Sequence, residues 1–284
     1  MTTPTFSTKD LFTLQNLKDW LNTSNVAFPA TSDTVLARLV TTASLFATSY
    51  LQRQLQPTTY SEVRNGLDRR RMFLLNRPII SVTTLTVNTT VISARTQVGG
   101  SGYVFDENSL YLDGAGGFGV GYGFSSFPNG IQNVYITYRA GLQTSDVAAI
   151  PNPIAPLSVT SLSRPWNSDQ GVTYANGTAL TLVASSPAVG QYAVGRDSQG
   201  TAEYQFNATD AGSGIVISYG YTPEDIVQAL CELAGERYKA RQRIGEVSQT
   251  VGGQGTTVAF SQKDMNDTIR ALLQPYKNVT PVAV

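Results

Sequence analysis

Apolar side chains recur every three to four positions at both ends of the chain, which is the spacing of one face of an α-helix. Near the N terminus, Ser7-x-x-Asp10 has the form of a capping box, and leucines follow it at helical spacing up to Asn22. A second apolar stripe begins near Asp33 and reaches Leu51. These patterns predict two N-terminal helices.

In the middle of the chain, apolar and polar positions alternate, and Val, Thr, Tyr and Gly are frequent, which favours strands and tight turns. Val134, Ile136 and Tyr138 alternate with more polar neighbours and predict one clear strand. The strands predicted in this first β block are residues 60–66, 71–75, 79–92, 103–105, 110–112 and 134–139.

Three prolines within residues 151–156 mark a stiff boundary before a second β block. Asn176-Gly177 is a strong signal for a hairpin turn inside that block. Short, evenly spaced strands with such turns predict a small antiparallel β-sandwich. Its strand candidates lie near residues 157–163, 171–174, 178–184, 190–195, 201–207 and 214–221.

The helical period returns after this block. Thr222-Pro223-Glu224-Asp225 supplies an N-cap residue, a proline at the first helical position and two acids in the first turn. A last helix is expected to begin at Ser261, and an uncharged tail, residues 279–284, follows it.

The order helix, sheet, helix predicts an α+β protein with a helical core of about four main helices plus short strands. Residues 134–141 end the first β block and residues 216–221 end the second, but only the second leads directly into a helix. We therefore infer that residues 143–221 are an inserted β-sandwich domain. Residues 1–142 plus 222–284 would form the core, with a β-rich arm. Excising 143–221 should then preserve the cooperative unfolding of the helical core.

The composition argues against catalysis. The 284 residues contain 20 Lys plus Arg and 20 Asp plus Glu, so the net charge is zero, which disfavours a protein that wraps nucleic acid. Histidine is absent, which removes the commonest general base and metal ligand, and the single cysteine, Cys231, lies on an apolar helical stripe. We therefore expect no enzyme activity, no cofactor and no metal site. The first residues lack the pattern of a signal peptide, and no apolar run approaches the length of a membrane span.

A glycine-rich segment, residues 114–130, begins with a GxGxxG match. Because no helix follows and no acid lies about 20 residues further on, the match does not indicate a dinucleotide site. We interpret the segment as a mobile loop whose aromatic side chains order against a neighbouring subunit. These candidate subunit contacts are Phe118, Tyr122, Phe124 and Phe127.

Two groups of basic residues are candidate contacts with a partner or with the phosphates of passing DNA. The first, Arg69, Arg70 and Arg71, is equally well explained as a solvated turn. The second, Arg237 and Arg241, lies late in its helix, where positive charge complements the helix dipole, and a partner-facing role is an additional hypothesis.

The order of these segments resembles the head–tail adaptor (connector, or head-completion) proteins of tailed bacteriophages, over roughly residues 5–142 and 222–278. Residues 143–221 depart from the small adaptors and resemble β-rich modules of phage structural proteins. The segments that carry the resemblance are Leu17-Lys18-Asp19-Trp20-Leu21, the helix with Leu36 and Ala43, LNRPIIS at 75–81, VYITYRAG at 134–141, the helix with Tyr238 and Arg241, and the closing Leu273-x-Pro275-Tyr276.

This resemblance implies a virion protein, made and assembled in the host cytoplasm, that forms a ring, usually of twelve copies, under the portal vertex. Such a ring extends the DNA channel, with non-specific proximity to the genome, and presents a platform to the next neck or tail protein. The family also implies that the C-terminal segment docks on the portal. The candidate docking residues are Pro275, Tyr276, Lys277, Val279 and Val284.

Two alternatives remain open on the sequence. A carbohydrate-binding or adhesin-like virion module would stack Trp166 and Tyr174 of the second β block on sugar rings. An enzyme that uses carboxylates alone would need spatial pairs that sequence spacing does not show. Helical ends favour the adaptor, because a binding module does not need them.

Overall fold

A computed structural model describes residues 4–22, 32–98, 100–114, 125–241, 248–251, 256–259 and 265–278. Contacts along the backbone divide the chain into two compact units. Unit I contains residues 1–52 and 144–277, and unit II contains residues 53–143 and 278–284. Each unit has its own hydrophobic core.

The helices all belong to unit I, and the apolar stripes predicted from the sequence are their buried faces. α3 is the central helix, because α1, α2 and α4 each pack against it. Leu17 of α1, Leu36 of α2 and Leu230 of α3 are fully buried. The helices are α1 Leu14–Leu21, α2 Asp33–Leu51, α3 Glu224–Ala240 and α4 Asp267–Leu273.

α2 is long and apolar enough, by length and composition, to cross a membrane. It nevertheless begins with the buried Asp33, whose carboxylate lies 2.7 Å from the Lys18 ammonium. Its buried face packs against α1 and α3, which explains its apolar composition within a folded core.

Unit I also contains two sheets with the strand orders β10-β14-β8 and β11-β12-β13-β9. Buried residues from both sheets form one hydrophobic cluster that includes Val172, Tyr204 and Ile217. A separate hairpin, β15-β16, lies between α3 and α4 in the sequence. The strands are β8 Gln143–Ala149, β9 Leu157–Ser158, β10 Trp166–Tyr174, β11 Thr181–Leu182, β12 Gln191–Arg196, β13 Ala202–Phe206, β14 Gly214–Tyr221, β15 Ser248–Val251 and β16 Thr256–Ala259.

Unit II consists of two sheets with the strand orders β1-β7-β3-β4 and β2-β6-β5. β7 is the centre of the first sheet and pairs antiparallel with β1 and β3. Its inward residues Val134, Ile136 and Tyr138 are almost completely buried in the unit II core. The strands are β1 Thr58–Gly66, β2 Arg71–Phe73, β3 Ile79–Val87, β4 Thr90–Ile92, β5 Gly102–Phe105, β6 Ser109–Asp113 and β7 Gly130–Ala140.

The predicted fold class is wrong in its central claim. The described residues are mainly β, with sixteen strands and only four α-helices, two of which have 8 and 7 residues. The β-rich residues 53–143 are not an arm of a helical core, because they bury a core of their own. The second β block is also not purely antiparallel, since β11 pairs parallel with β12.

The shortness of α1 has a clear physical cause. The predicted start at Ser7 is wrong, because Asp10 is buried and accepts hydrogen bonds from the Ser7 amide and the Thr41 hydroxyl. The helix begins only after Thr13, which forms a capping box with Asn16. Similarly, α4 has its N-cap at Asn266 rather than at Ser261, which lies outside the described residues.

Whether residues 143–221 are an inserted domain stays a prediction. The boundary between the two units falls at the predicted place, between residues 143 and 144. Residues 144–221 belong to the same unit as residues 1–52 and the later helices. Within that unit, the Gln15 amide of α1 donates to the Gln199 carbonyl of the second β block. Excision of 143–221 would test the prediction, since retained cooperative unfolding of the remainder would support a separable domain.

Candidate assembly surface

Residues 275–277 of the candidate docking segment belong to unit I, and two of them contact other residues of that unit. Gln274–Tyr276 form a single 3-10 turn after α4, with Pro275 exposed. The Tyr276 hydroxyl donates to Asp225 Oδ2 at 2.9 Å, and the Lys277 ammonium lies 5.1 Å from the centre of the Tyr50 ring. These residues are therefore held by the start of α3 and the end of α2.

Asn278, the last described residue, also has hydrogen-bond partners. Asn278 belongs to unit II, where its side-chain amide donates to the Leu75 carbonyl at 3.0 Å and accepts from Arg77 at 3.3 Å. Val279 and Val284 lie outside the described residues. A docking role for residues 275–284 stays a prediction, and the fixed position of Asn278 defines where the last six residues begin.

Two of the three clustered arginines have partners within unit II. Arg70 donates to Asp113 Oδ1 at 2.7 Å. Arg71 donates to the Ser109 hydroxyl at 2.9 Å, and its guanidinium lies 4.3 Å from the centre of the Phe73 ring. Arg69 has an exposed side chain, while its carbonyl accepts from the Phe127 amide. The cluster thus serves first to join β2 to the β5–β6 hairpin, and Arg69 is the member best placed for a partner contact.

The second basic group lines a groove between α2 and α3. Arg237 lies 4.9 Å from the centre of the Phe46 ring, and Arg241 lies 4.9 Å from that of Tyr238. The sequence analysis missed Arg38, which tertiary packing brings to the same groove. We call it the basic groove; it has a volume of about 400 Å³ and is lined by Val35, Arg38, Leu39, Arg237, Tyr238, Ala240 and Arg241.

The charges of the basic groove are not neutralised by the described residues. None of the ion pairs within that part of the chain includes Arg38, Arg237 or Arg241. The floor is apolar, with Val35 and Leu39 half-buried. An apolar floor with a rim of arginines is suited to an acidic protein surface, because Arg is favoured at the centres of interfaces.

The interpretation of the glycine-rich segment is wrong for one of its aromatic residues. Phe127 is only 1% exposed and belongs to the core of unit II. It pairs with Arg69 in an isolated antiparallel bridge, which anchors the end of the segment to the chain before β2. Phe118, Tyr122 and Phe124 lie outside the described residues.

The aromatic residues proposed for sugar stacking are engaged within unit I. Trp166 Nε1 donates to the Tyr204 hydroxyl, and the Arg196 guanidinium lies 5.3 Å from the centre of the Trp166 ring. The Tyr174 hydroxyl donates to Asp210 at 2.9 Å. Both side chains are half-buried, and a stacking role for them stays a hypothesis. Within the described residues, no group of three or more metal-binding side chains comes together.

The Cys231 thiol is buried beside α1. Burial, followed by the nearby charges of Glu232 and Asp19, raises the pKa of Cys231 to about 12. Because the thiolate is the reactive form, we expect no reaction of the native protein with an aromatic disulfide reagent at pH 8, and stoichiometric reaction after unfolding in urea. Rapid modification of the native protein would contradict this placement.

Two of the grooves lined by the described residues have exposed charged rims and apolar floors, which suit contacts with other proteins. Residues 170–279 match the family model described as Head completion protein. This part of the chain is therefore similar to head completion proteins. No curated protein matches the chain.

The match confirms the resemblance found in the sequence, but over a different span. It runs from the middle of β10 through β14, all within the segment that the sequence analysis assigned to an insert, and continues through α3 and α4 to the candidate docking segment. Residues 5–142, on which part of the resemblance was based, lie outside the match.

Proposed function

We propose that the protein assembles into a closed ring between the portal vertex and the tail or neck of a tailed phage, where it extends the DNA channel and joins head to tail. The observation that carries this proposal is the match to head completion proteins, which reaches the end of the described chain. The partners in this proposal are further copies of the chain, the portal and the next neck or tail protein. No catalytic step is part of it.

The held C-terminal segment supports the docking part of the proposal. Tyr276 and Lys277 contact other residues of unit I, and Asn278 is held by Leu75 and Arg77, so the uncharged residues 279–284 follow a residue with a defined position. A short uncharged segment that starts from a fixed point is suited to ordering on a partner. We propose that these six residues dock on the portal.

A truncation that ends at Asn278 tests docking without disturbing the fold. It keeps the hydrogen bonds of Tyr276 and Asn278, so we expect unchanged thermal unfolding. Binding to filled heads that lack this protein should fall by at least about tenfold, as expected when a dominant anchor is lost from an interface. Sedimentation of the protein with the heads, and the yield of infectious particles after tails are added, would measure the effect.

The matched control is Ser126→Ala in the full-length chain. It removes an exposed hydrogen bond to Asp68 and leaves residues 275–284 unchanged, so we expect wild-type joining. Normal joining by the truncated chain would refute the docking role of the tail. Failure of the wild-type chain to bind heads at all would refute the proposed function itself.

A further inference from the structure

A second groove, opposite in charge, lies between α1 and the first half of α3. Asp19 of α1 and Glu224 of α3 are exposed at its rim. Glu232 borders the groove, because it follows Cys231 and accepts a hydrogen bond from Gln228, and both of these residues line it. We call this the acidic groove; it is a shallow depression of about 460 Å³ lined by Asn16, Asp19, Trp20, Glu224, Val227, Gln228 and Cys231.

The acids of this groove are as free of ion pairs as the arginines of the basic groove. Within the described part of the chain, none of Asp19, Glu224 and Glu232 lies in a salt bridge. Nearby cations offset part of the three negative charges. The Lys239 ammonium lies 6.0 Å from the centre of the Trp20 ring, and a neighbouring pocket that includes Asp19 and Glu224 is also lined by Arg164 and Arg196. The floor, with Trp20 and Val227, is largely apolar, like that of the basic groove.

The two grooves lie along different parts of α3, since residues 224–231 include the lining of the acidic groove and residues 237–241 include that of the basic groove. Arg237 and Arg241 share one face of α3 at four-residue spacing. The five residues from Glu232 to Arg237 turn an α-helix by about 140°. α1 flanks the acidic side and contributes Asp19, whereas α2 flanks the basic side and contributes Arg38.

Charge complementarity decides which pairing of copies these surfaces permit. A two-fold contact between identical faces would bring either arginines against arginines or carboxylates against carboxylates, and such like-charge contacts are unfavourable. A contact between different faces brings arginines against carboxylates. It leaves the basic groove free at one end of the pair and the acidic groove free at the other. Repetition of that contact closes a ring if the rotation between copies is suitable.

We propose that the acidic groove of one copy binds the basic groove of the next, so that this head-to-tail contact is the subunit interface of the ring. The inference rests on the proposed function, because it assigns the surfaces that build that ring. Asp19, Glu224 and Glu232 of one copy face Arg38, Arg237 and Arg241 of its neighbour. A chain with no net charge thereby associates with itself through segregated charges.

Charge reversal in two matched variants tests the contact. The first variant carries Arg38→Glu and Arg241→Glu. It keeps Arg237 and therefore its contact with the aromatic ring of Phe46. The second carries Asp19→Lys and Glu232→Lys, and leaves Glu224, which stabilises the first turn of α3, unchanged. The third combines all four reversals, which restores complementarity with the opposite polarity. The control, Lys9→Glu with Glu107→Lys, reverses two exposed charges that line neither groove.

Assembly is measured by native mass spectrometry of the full chain and by counting copies on heads that lack the protein. We expect each two-residue variant to lose assembly by at least about tenfold, because like charges then face each other. An equimolar mixture of the two variants should assemble, and so should the fourfold variant. Circular dichroism of each variant establishes that the fold is unchanged, and wild-type assembly should weaken as salt is raised.

Wild-type levels of assembly in both two-residue variants would overturn the inference while leaving the ring itself intact. Loss of assembly in both, without recovery in the mixture or in the fourfold variant, would also overturn it, because the two surfaces would then bind different partners. If the wild-type chain forms no ring on heads, the proposed function and this inference both fail. The three results are therefore distinguishable.

Discussion

Replacing Asp169 by alanine is expected to destabilise unit I by about 3–5 kcal/mol, because it removes the acceptor shared by two buried tyrosines. Asp169 lies on β10, and its carboxylate accepts from the Tyr192 hydroxyl at 2.8 Å and the Tyr204 hydroxyl at 2.9 Å. Both tyrosines belong to the other sheet and are at most 2% exposed. The carboxylate therefore links the two sheets through their common core.

A bulge in β10 gives Asp169 this position. The register with β14 shifts between Asp169 and Val172, and Gly171 within the shift has a φ of +114°. Only glycine adopts that conformation readily, and bulges commonly turn a side chain to a new direction. The Gly171 amide also donates to Asp169 Oδ1.

Urea unfolding monitored by tryptophan fluorescence measures this effect, since both tryptophans, Trp20 and Trp166, lie in unit I. Asp169→Asn keeps the shape and one acceptor oxygen, so its loss should be clearly smaller than that of alanine. Tyr192→Phe removes one hydrogen bond and leaves the other, and should have a small effect. Equal stabilities of the alanine variant and the wild type would exclude the proposed link between the sheets.

Phe127→Ala should destabilise unit II by about 3–5 kcal/mol, the usual cost of removing a buried phenylalanine side chain. Phe127 is 1% exposed and contributes to a core with Leu85, Leu110 and Val134. Its backbone also accepts from the Asp68 amide at 2.7 Å and donates to the Arg69 carbonyl at 2.9 Å. Truncation of the side chain leaves a cavity beneath this junction.

Hydrogen exchange of peptides from residues 53–143 reports the stability of unit II directly. Phe105→Ala is the matched control, because Phe105 lies on β5 of the same unit but is 40% exposed, and we expect little change there. A loss in the Phe127 variant no larger than in the control would mean that Phe127 is a surface residue, as the sequence first indicated.

Local patterns in the sequence identified most elements correctly. The apolar stripe of α2, the acids at the start of α3 and the alternation in β7 each depend on neighbours within a few residues, so their signals are visible without the fold. The resemblance to head completion proteins was also recognised from the order of such segments and is confirmed over residues 170–279. The emphasis on helices was wrong. α1, for example, is shorter than its pattern predicted, because the Asp10 carboxylate accepts a hydrogen bond from Thr41 of α2 instead of taking part in a helix start.

The candidate site was predicted less completely. Arg237 and Arg241 were found as a basic group at the end of a helix, but Arg38 lies about 200 residues earlier, and no local signal connects it with them. The arginines at 70 and 71 were identified as a cluster, yet their acidic partners come from β6 and the turn before it. Glu224 was explained as an acid at a helix start, so its place beside Asp19 of α1 was not apparent.

By itself, the sequence determined which segments are helical or extended, that the chain carries no net charge, and that it resembles head completion proteins, because these properties come from composition and from neighbouring residues. Only the tertiary structure decided that residues 53–143 bury a separate core, that Phe127 is inside it, and that two grooves of opposite charge flank α3. These depend on strand pairing and helix packing between residues far apart in the chain, and local periodicity carries no information about such pairings.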